Sequence, residues 1–138
     1  GVPMVYHGQE FGMDTPKTID SNPLQWEKLH DPASQDLWKT YQRLILLRDN
    51  EEALVQNKLE MLLADDERKL IVFRRWTELG NQIVVALNFA PLAQAVEIDF
   101  PRGGRWHEWM SDGEQDFGQQ TLQTMGIAAS AAKVWIAL

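Results

Sequence analysis

From residue 58 onward, the apolar pattern of this chain changes from a helical period toward a period of two, in short strand-length runs separated by turn-forming residues. The runs are KLEMLLA (58–64), KLIVFRRW (69–76), QIVVALNF (82–89), AVEIDF (95–100), RWHEWM (105–110), a weaker one at 119–125, and KVWIAL (133–138). A period of two sends alternate side chains to opposite faces of a strand, so one face can be buried while the other meets water. AVEIDF shows this most plainly, with Val96, Ile98 and Phe100 set against Glu97 and Asp99. Asp65-Asp66-Glu67-Arg68, Gly80-Asn81 and Pro101 to Gly104 supply the turns. Strands of this length and spacing predict an antiparallel β-sandwich of Greek-key type.

The residues before this region have another texture. Gly1 to Tyr6 is a nearly all-apolar run, which fits a strand buried on both faces as in a parallel sheet. His7 to Pro32 has no periodicity and carries Gly8, Gly12, Pro16, Pro23 and Pro32, so it reads as a long loop. A helix over 33–49 follows. Asp31 or Ser34 is placed to cap it, and Pro32 suits its first turn. Leu37, Trp38, Tyr41, Leu44 and Ile45 recur at helical spacing, and Leu46 and Leu47 widen the face, which predicts burial on more than one side. The expected organisation is a βα step over 1–52 (strand 1–6, loop 7–32, helix 33–49) and a β-sandwich over 53–138. A lone parallel strand leaves backbone donors and acceptors unpaired. The expectation is therefore that the chain is the C-terminal part of a larger protein.

Composition narrows the function classes. The 138 residues are 44% hydrophobic and 24% charged, as in ordinary globular proteins. A net charge of −7 disfavours a nucleic-acid or anionic-membrane partner. There is no apolar run long enough for a spanning helix. Without cysteine there is no disulfide framework and no thiolate chemistry. The chain starts with Gly1, so its compartment, cytoplasmic or secreted, stays open.

The opening residues carry a family resemblance. Gly1-Val2-Pro3-Met4-Val5-Tyr6-His7-Gly8-Gln9-Glu10 resembles the Gly-x-Pro-x-x-Tyr-x-Gly-x-Glu signature of the alpha-amylase superfamily, glycoside hydrolase family 13. In that family the signature marks the last strand of a (β/α)8 barrel and the loop after it. Pro23-Leu24-Gln25-Trp26 is similar to the family's Pro-Met-x-Trp element, and Tyr41 to Arg48 to its last barrel helix. Asp65-Asp66, Leu70 to Arg74 and Val84 to Phe89 are similar to the opening strands of its C-terminal β-sandwich.

The resemblance implies a parent enzyme that cleaves or transfers α-glucosidic bonds in starch or maltooligosaccharides with retention. Retention uses a nucleophilic and an acid/base carboxylate about 5–5.5 Å apart. The family places these, and a further Asp, after its fourth, fifth and seventh strands, so no catalytic residue is expected in this chain. The implied partners are an N-terminal catalytic barrel and an α-glucan bound through the parent, with no cofactor. In a (β/α)8 enzyme the site lies at the C-terminal ends of the strands, which makes Tyr6, His7, Gln9 and Glu10 candidates for the substrate-side rim. Glu10 is read first as a support group bonded to loop backbone or to a catalytic-face residue; direct sugar contact and a solvated turn carboxylate are the alternatives. Gly8 and Gly12 serve backbone geometry. Ser21 stands where many exo-acting members carry an arginine, which weakens an exo-glucosidase assignment. A glucan-binding accessory module and a non-catalytic scaffold relative are the competing functions.

Other features carry less. Trp76, Trp106 and Trp109 are candidates for sugar stacking, with burial in the core or against the barrel as the plainer reading. Asp112-Gly113-Glu114-Gln115-Asp116 begins like a calcium loop, but Phe117 sits where glycine is needed and Gln123 where the closing glutamate belongs. It reads instead as an acidic hairpin tip. His7, His30 and His107 lack ligand spacing, so no metal site is expected. Asp65-Asp66-Glu67 reads as a solvated turn that protects the hairpin from edge pairing.

Overall fold

The computed structural model describes residues 3–16 and 19–138. The chain divides into two compact units, Gly1–Asn50 and Glu51–Leu138.

The first unit holds one helix, α1 (Pro32–Asn50), and two short 3-10 turns, Gln9–Phe11 and Trp26–His30. Asp31 caps α1: its Oδ2 accepts from the Ser34 amide at 3.1 Å and its carbonyl from the Gln35 amide at 3.0 Å. Pro32 takes the first helical position, where its missing N–H costs nothing. Two expectations fail in this unit. Pro3 to Tyr6 form no strand, and Gly1 and Val2 lie outside the described residues. A strand exists only by bonding to a neighbour, and no described residue of the unit supplies one. The second failure concerns α1, which is not buried on more than one side. Leu47 is buried, while Leu37, Trp38, Leu44, Ile45 and Leu46 are exposed. Their spacing was read correctly as one apolar face, but an apolar face is buried only where something covers it. The 3-10 turns give Gln9–Phe11 and Trp26–His30 a local structure that the aperiodic sequence does not signal.

The second unit begins with a 3-10 turn, Glu52–Leu54, and is otherwise β-structure. Its strands are β1 (Leu59–Asp65), β2 (Leu70–Trp76), β3 (Gln82–Asn88), β4 (Gln94–Asp99), β5 (Arg105–Glu108), β6 (Gly113–Asp116), β7 (Leu122–Ile127) and β8 (Ala131–Ala137). A six-stranded antiparallel sheet runs β1-β2-β3-β8-β5-β6, and a two-stranded one pairs β4 with β7. The chain crosses to the small sheet for β4, returns for β5 and β6, crosses again for β7, and inserts β8 between β3 and β5. That is the Greek-key sandwich the alternation predicted. All but β6 follow the sequence runs closely. Residues 113–116 form a strand rather than an acidic tip, and the hairpin turn lies at 109–112.

The core lies between the sheets. Leu70, Val72, Val84, Ala86, Trp106 and Trp135 face Val96, Ile98, Met125 and Ile127 across it, with Phe100 among them. Phe100 meets Trp106 and Trp135 edge-on, at ring separations of 5.0 and 5.4 Å, the geometry aromatic quadrupoles favour. In the central strand β3, Ile83, Val84, Val85 and Ala86 are all buried, so alternation is lost where both faces are covered.

Two buried polar groups join loops to this core. Asn88 is 2% exposed. Its amide nitrogen donates to the carbonyls of Leu92 at 2.8 Å and Ala128 at 2.9 Å, with that of Ile127 at 3.3 Å, and its oxygen accepts from the Ala90 amide at 2.9 Å and Gln94 Nε2 at 3.1 Å. The β3–β4 loop is thereby tied to the β7–β8 turn. Glu108 is equally buried. Its carboxylate accepts from the amides of Met110 at 2.9 Å, Ser111 at 3.0 Å and Val134 at 3.3 Å, and from the Ser111 hydroxyl. Burial works against its charge, yet these hydrogen bonds outweigh it and hold the carboxyl below the ordinary glutamate value.

Candidate functional site

The rim candidates lie on one tight turn of the first unit. Gly8 (φ 83°) and Gly12 (φ 75°) flank the 3-10 turn Gln9–Phe11 in the left-handed region. The Gly8 carbonyl accepts from the Met13 amide at 2.8 Å, and a Cβ on Gly8 would lie 2.7 Å from the Met13 Cβ. Glycine is required there on both counts. Phe11, 1% exposed, anchors the turn, its ring 5.9 Å from that of Trp26. Lys28 Nζ donates to the Gly12 carbonyl at 3.1 Å and pairs with Asp14 at 2.6 Å. That hydrogen bond and the ammonium charge hold the Asp14 carboxyl below its ordinary value.

Tyr6, His7 and Gln9 come together. The Gln9 amide donates to the Tyr6 carbonyl at 2.9 Å, and Gln9 Oε1 accepts from the Tyr6 amide at 3.2 Å. The Tyr6 and His7 rings stack at 4.5 Å. With Met13, Thr15 and Asn22 these three line an open cleft of about 230 Å³. It offers a phenol, an imidazole and amides, groups that hydrogen-bond neutral polar ligands. Among the described residues that line it there is no carboxylate.

Glu10 points elsewhere. It lines a second cleft of about 350 Å³ with Val5, His7, Trp38, Tyr41, Gln42 and Ile45. Among the described residues no group donates to its buried Oε2. The expected bond from loop backbone is thus not present at that oxygen.

The tryptophans of the second unit separate by burial. Trp106 is 0% exposed, and its Nε1 donates to the Arg102 carbonyl at 3.3 Å, so it has no face to offer a sugar. Trp76 is half-buried, and the Arg74 guanidinium covers its ring at 4.9 Å. Trp109 is half-buried beyond the end of β5, its ring meeting His107 edge-on at 5.9 Å. The most exposed aromatic ring of this unit is Phe89, at 64%. It was passed over because QIVVALNF reads as one apolar run; the signal was its place at the end of that run, immediately before a turn.

Residues 62–134, just over half of the chain, match the family model described as alpha amylase, C-terminal all-beta domain. The chain belongs to that family. Alpha-amylase-type relatives agree. The chain is 27% identical over 134 residues to the 1,4-alpha-glucan branching enzyme GlgB of Paraburkholderia xenovorans, covering 92% of this chain and 18% of the relative. It is 29% identical over 123 residues to neopullulanase 2 of Thermoactinomyces vulgaris, covering 87% and 20%. The chain thus spans about a fifth of the length of the curated relatives it matches. Among solved structures, AmyP in complex with maltose superposes with a TM-score of 0.67 at 13% identity, over 77% of this chain and 21% of that one. An Anoxybacillus alpha-amylase gives 0.63 at 18%, over 77% and 25%. At such identities these two show the fold alone.

Proposed function

We propose that this chain is the C-terminal region of a retaining, α-glucan-active glycoside hydrolase or transglycosylase. Its β-sandwich stabilises a catalytic (β/α)8 barrel, and Tyr6, His7, Gln9 and Glu10 form part of that barrel's substrate-side rim. The observation that carries the proposal is the extent of the likeness: it covers 92% of the chain against a branching enzyme and therefore runs well beyond the all-beta domain into the first unit. Two features of the first unit support it. The apolar face of α1 is exposed over Leu44, Ile45 and Leu46, as suits a helix made to be covered by neighbours. Glu10 carries a buried oxygen in want of a donor, a costly arrangement unless another part of the enzyme supplies one.

In this division of labour the chain positions and stabilises, and the carboxylates that protonate the leaving oxygen and attack the anomeric carbon lie elsewhere. Incubated alone with soluble starch or maltoheptaose, the chain is expected to release no reducing ends above the buffer blank. Turnover that scales with chain concentration and survives repurification would overturn the proposal.

A further inference from the structure

The second unit carries a cleft outside the rim candidates, at the turn end of the β1–β2 hairpin. It is lined by Ala64, Asp65, Asp66, Lys69, Ile71 and Phe89, and its volume is about 320 Å³. We propose that it is a carbohydrate-binding site that takes a glucose unit of an α-glucan, with Phe89 as the stacking platform. The choice of sugar rests on the α-glucan reading above; the cleft rests on its own geometry.

Three observations favour a sugar. Phe89 presents a mostly free ring, 64% exposed, on a backbone fixed by the bond from its amide to the Lys69 carbonyl at 2.9 Å. A pyranose has an apolar C–H face that suits such a ring, and a rigid platform lowers the entropy lost on binding. The cleft's polar groups then match the sugar's edge. Asp66 and Lys69 pair at 3.0 Å, with side chains 100% and 55% exposed, and thus present an acceptor and a donor side by side. Asp65 is held in place by the Arg68 amide at 2.9 Å. Hydroxyls both donate and accept, so a neutral polyol uses both kinds of group, whereas an anion would meet two carboxylates and a cation the ammonium. The third observation is the competing aromatics: the ring of Trp76 is covered by Arg74, and Trp106 is buried.

The test is a ¹H–¹⁵N NMR titration of the whole chain with maltotriose, using cellobiose as the control. Saturable shifts confined to Ala64–Ile71 and Phe89, with a Kd on the order of 1–10 mM as suits an open single-platform site, would support the proposal. Phe89→Ala is expected to weaken binding about tenfold or more without unfolding the chain, because the ring is mostly outside the core. Phe89→Trp, with a larger face, is expected to keep or tighten it. The cleft assignment is overturned by no shifts at tens of millimolar sugar, by shifts only at Tyr6–Met13, or by concentration-dependent broadening that Phe89→Ala abolishes, which marks a self-contact. None of these outcomes touches the enzyme reading, which the turnover assay and the coding sequence upstream of Gly1 test. Equal shifts with cellobiose would overturn the α-glucan assignment.

Discussion

Trp106→Ala is expected to lower the stability of the sandwich by roughly 3–5 kcal/mol, the range for truncating a large buried aromatic. Trp106 lies at 0% exposure in a cluster with Phe100, Phe117 and Trp135, and the Arg102 guanidinium sits 5.7 Å from its ring. Removing the indole opens a cavity that neighbours from two sheets cannot close without leaving their strand registers. It also frees the Arg102 carbonyl, which now accepts from the indole. Small domains are stable by only about 5–15 kcal/mol, so the variant should unfold near or below physiological temperature. Chemical denaturation measures this, and Trp106→Phe, which keeps most of the apolar volume, should recover a large part of the loss. If Trp106→Ala denatured within about 1 kcal/mol of the parent chain, the indole would not be a core residue and a surface role would regain its place.

The second large effect concerns Glu108. Glu108→Ala should cost about 3 kcal/mol, because three amides and the Ser111 hydroxyl lose their acceptor at one stroke. The effect also has a pH signature. The folded pKa lies below the ordinary glutamate value of 4.5, so the unfolded chain binds the proton more readily than the folded one. The carboxylate's contribution is therefore complete well above pH 4.5 and is lost as pH falls through that value toward the folded pKa. Stability measured between pH 6 and pH 3 should fall in the parent chain, and the part of that fall due to Glu108 should vanish in Glu108→Gln. Identical pH slopes in the two proteins would show that the carboxylate is not held ionised by the turn.

The sandwich was legible because its strands alternate. In AVEIDF the apolar set predicted Val96, Ile98 and Phe100 as core, and they are. Strand β6 was not legible: Gly113-Glu114-Gln115-Asp116 has no apolar residue to mark a buried face and forms only by pairing with β5 at the sheet edge. Glu108 shows a signal that was present but unused. In RWHEWM the same alternation that buries Trp106 puts Glu108, two residues on, on the same face. A carboxylate there demands donors, which the turn at 109–112 and the β8 backbone supply. The turn at Gln9–Phe11 was legible from Gly8 and Gly12, whose positive φ values the sequence anticipates. The burial of α1 was not, since periodicity names an apolar face without naming what lies against it. Nor could alternation separate a buried Trp106 from an exposed Phe89, because that distinction depends on which strands sit beside each ring.

The central claim, that this chain completes a retaining α-glucan enzyme, is tested most directly by the protein's native coding sequence upstream of Gly1. The prediction is an open frame of several further strand–helix repeats, with Asp, Glu and Asp at the C-terminal ends of the fourth, fifth and seventh strands. A frame that closes just before Gly1, or a barrel without those carboxylates, would contradict it.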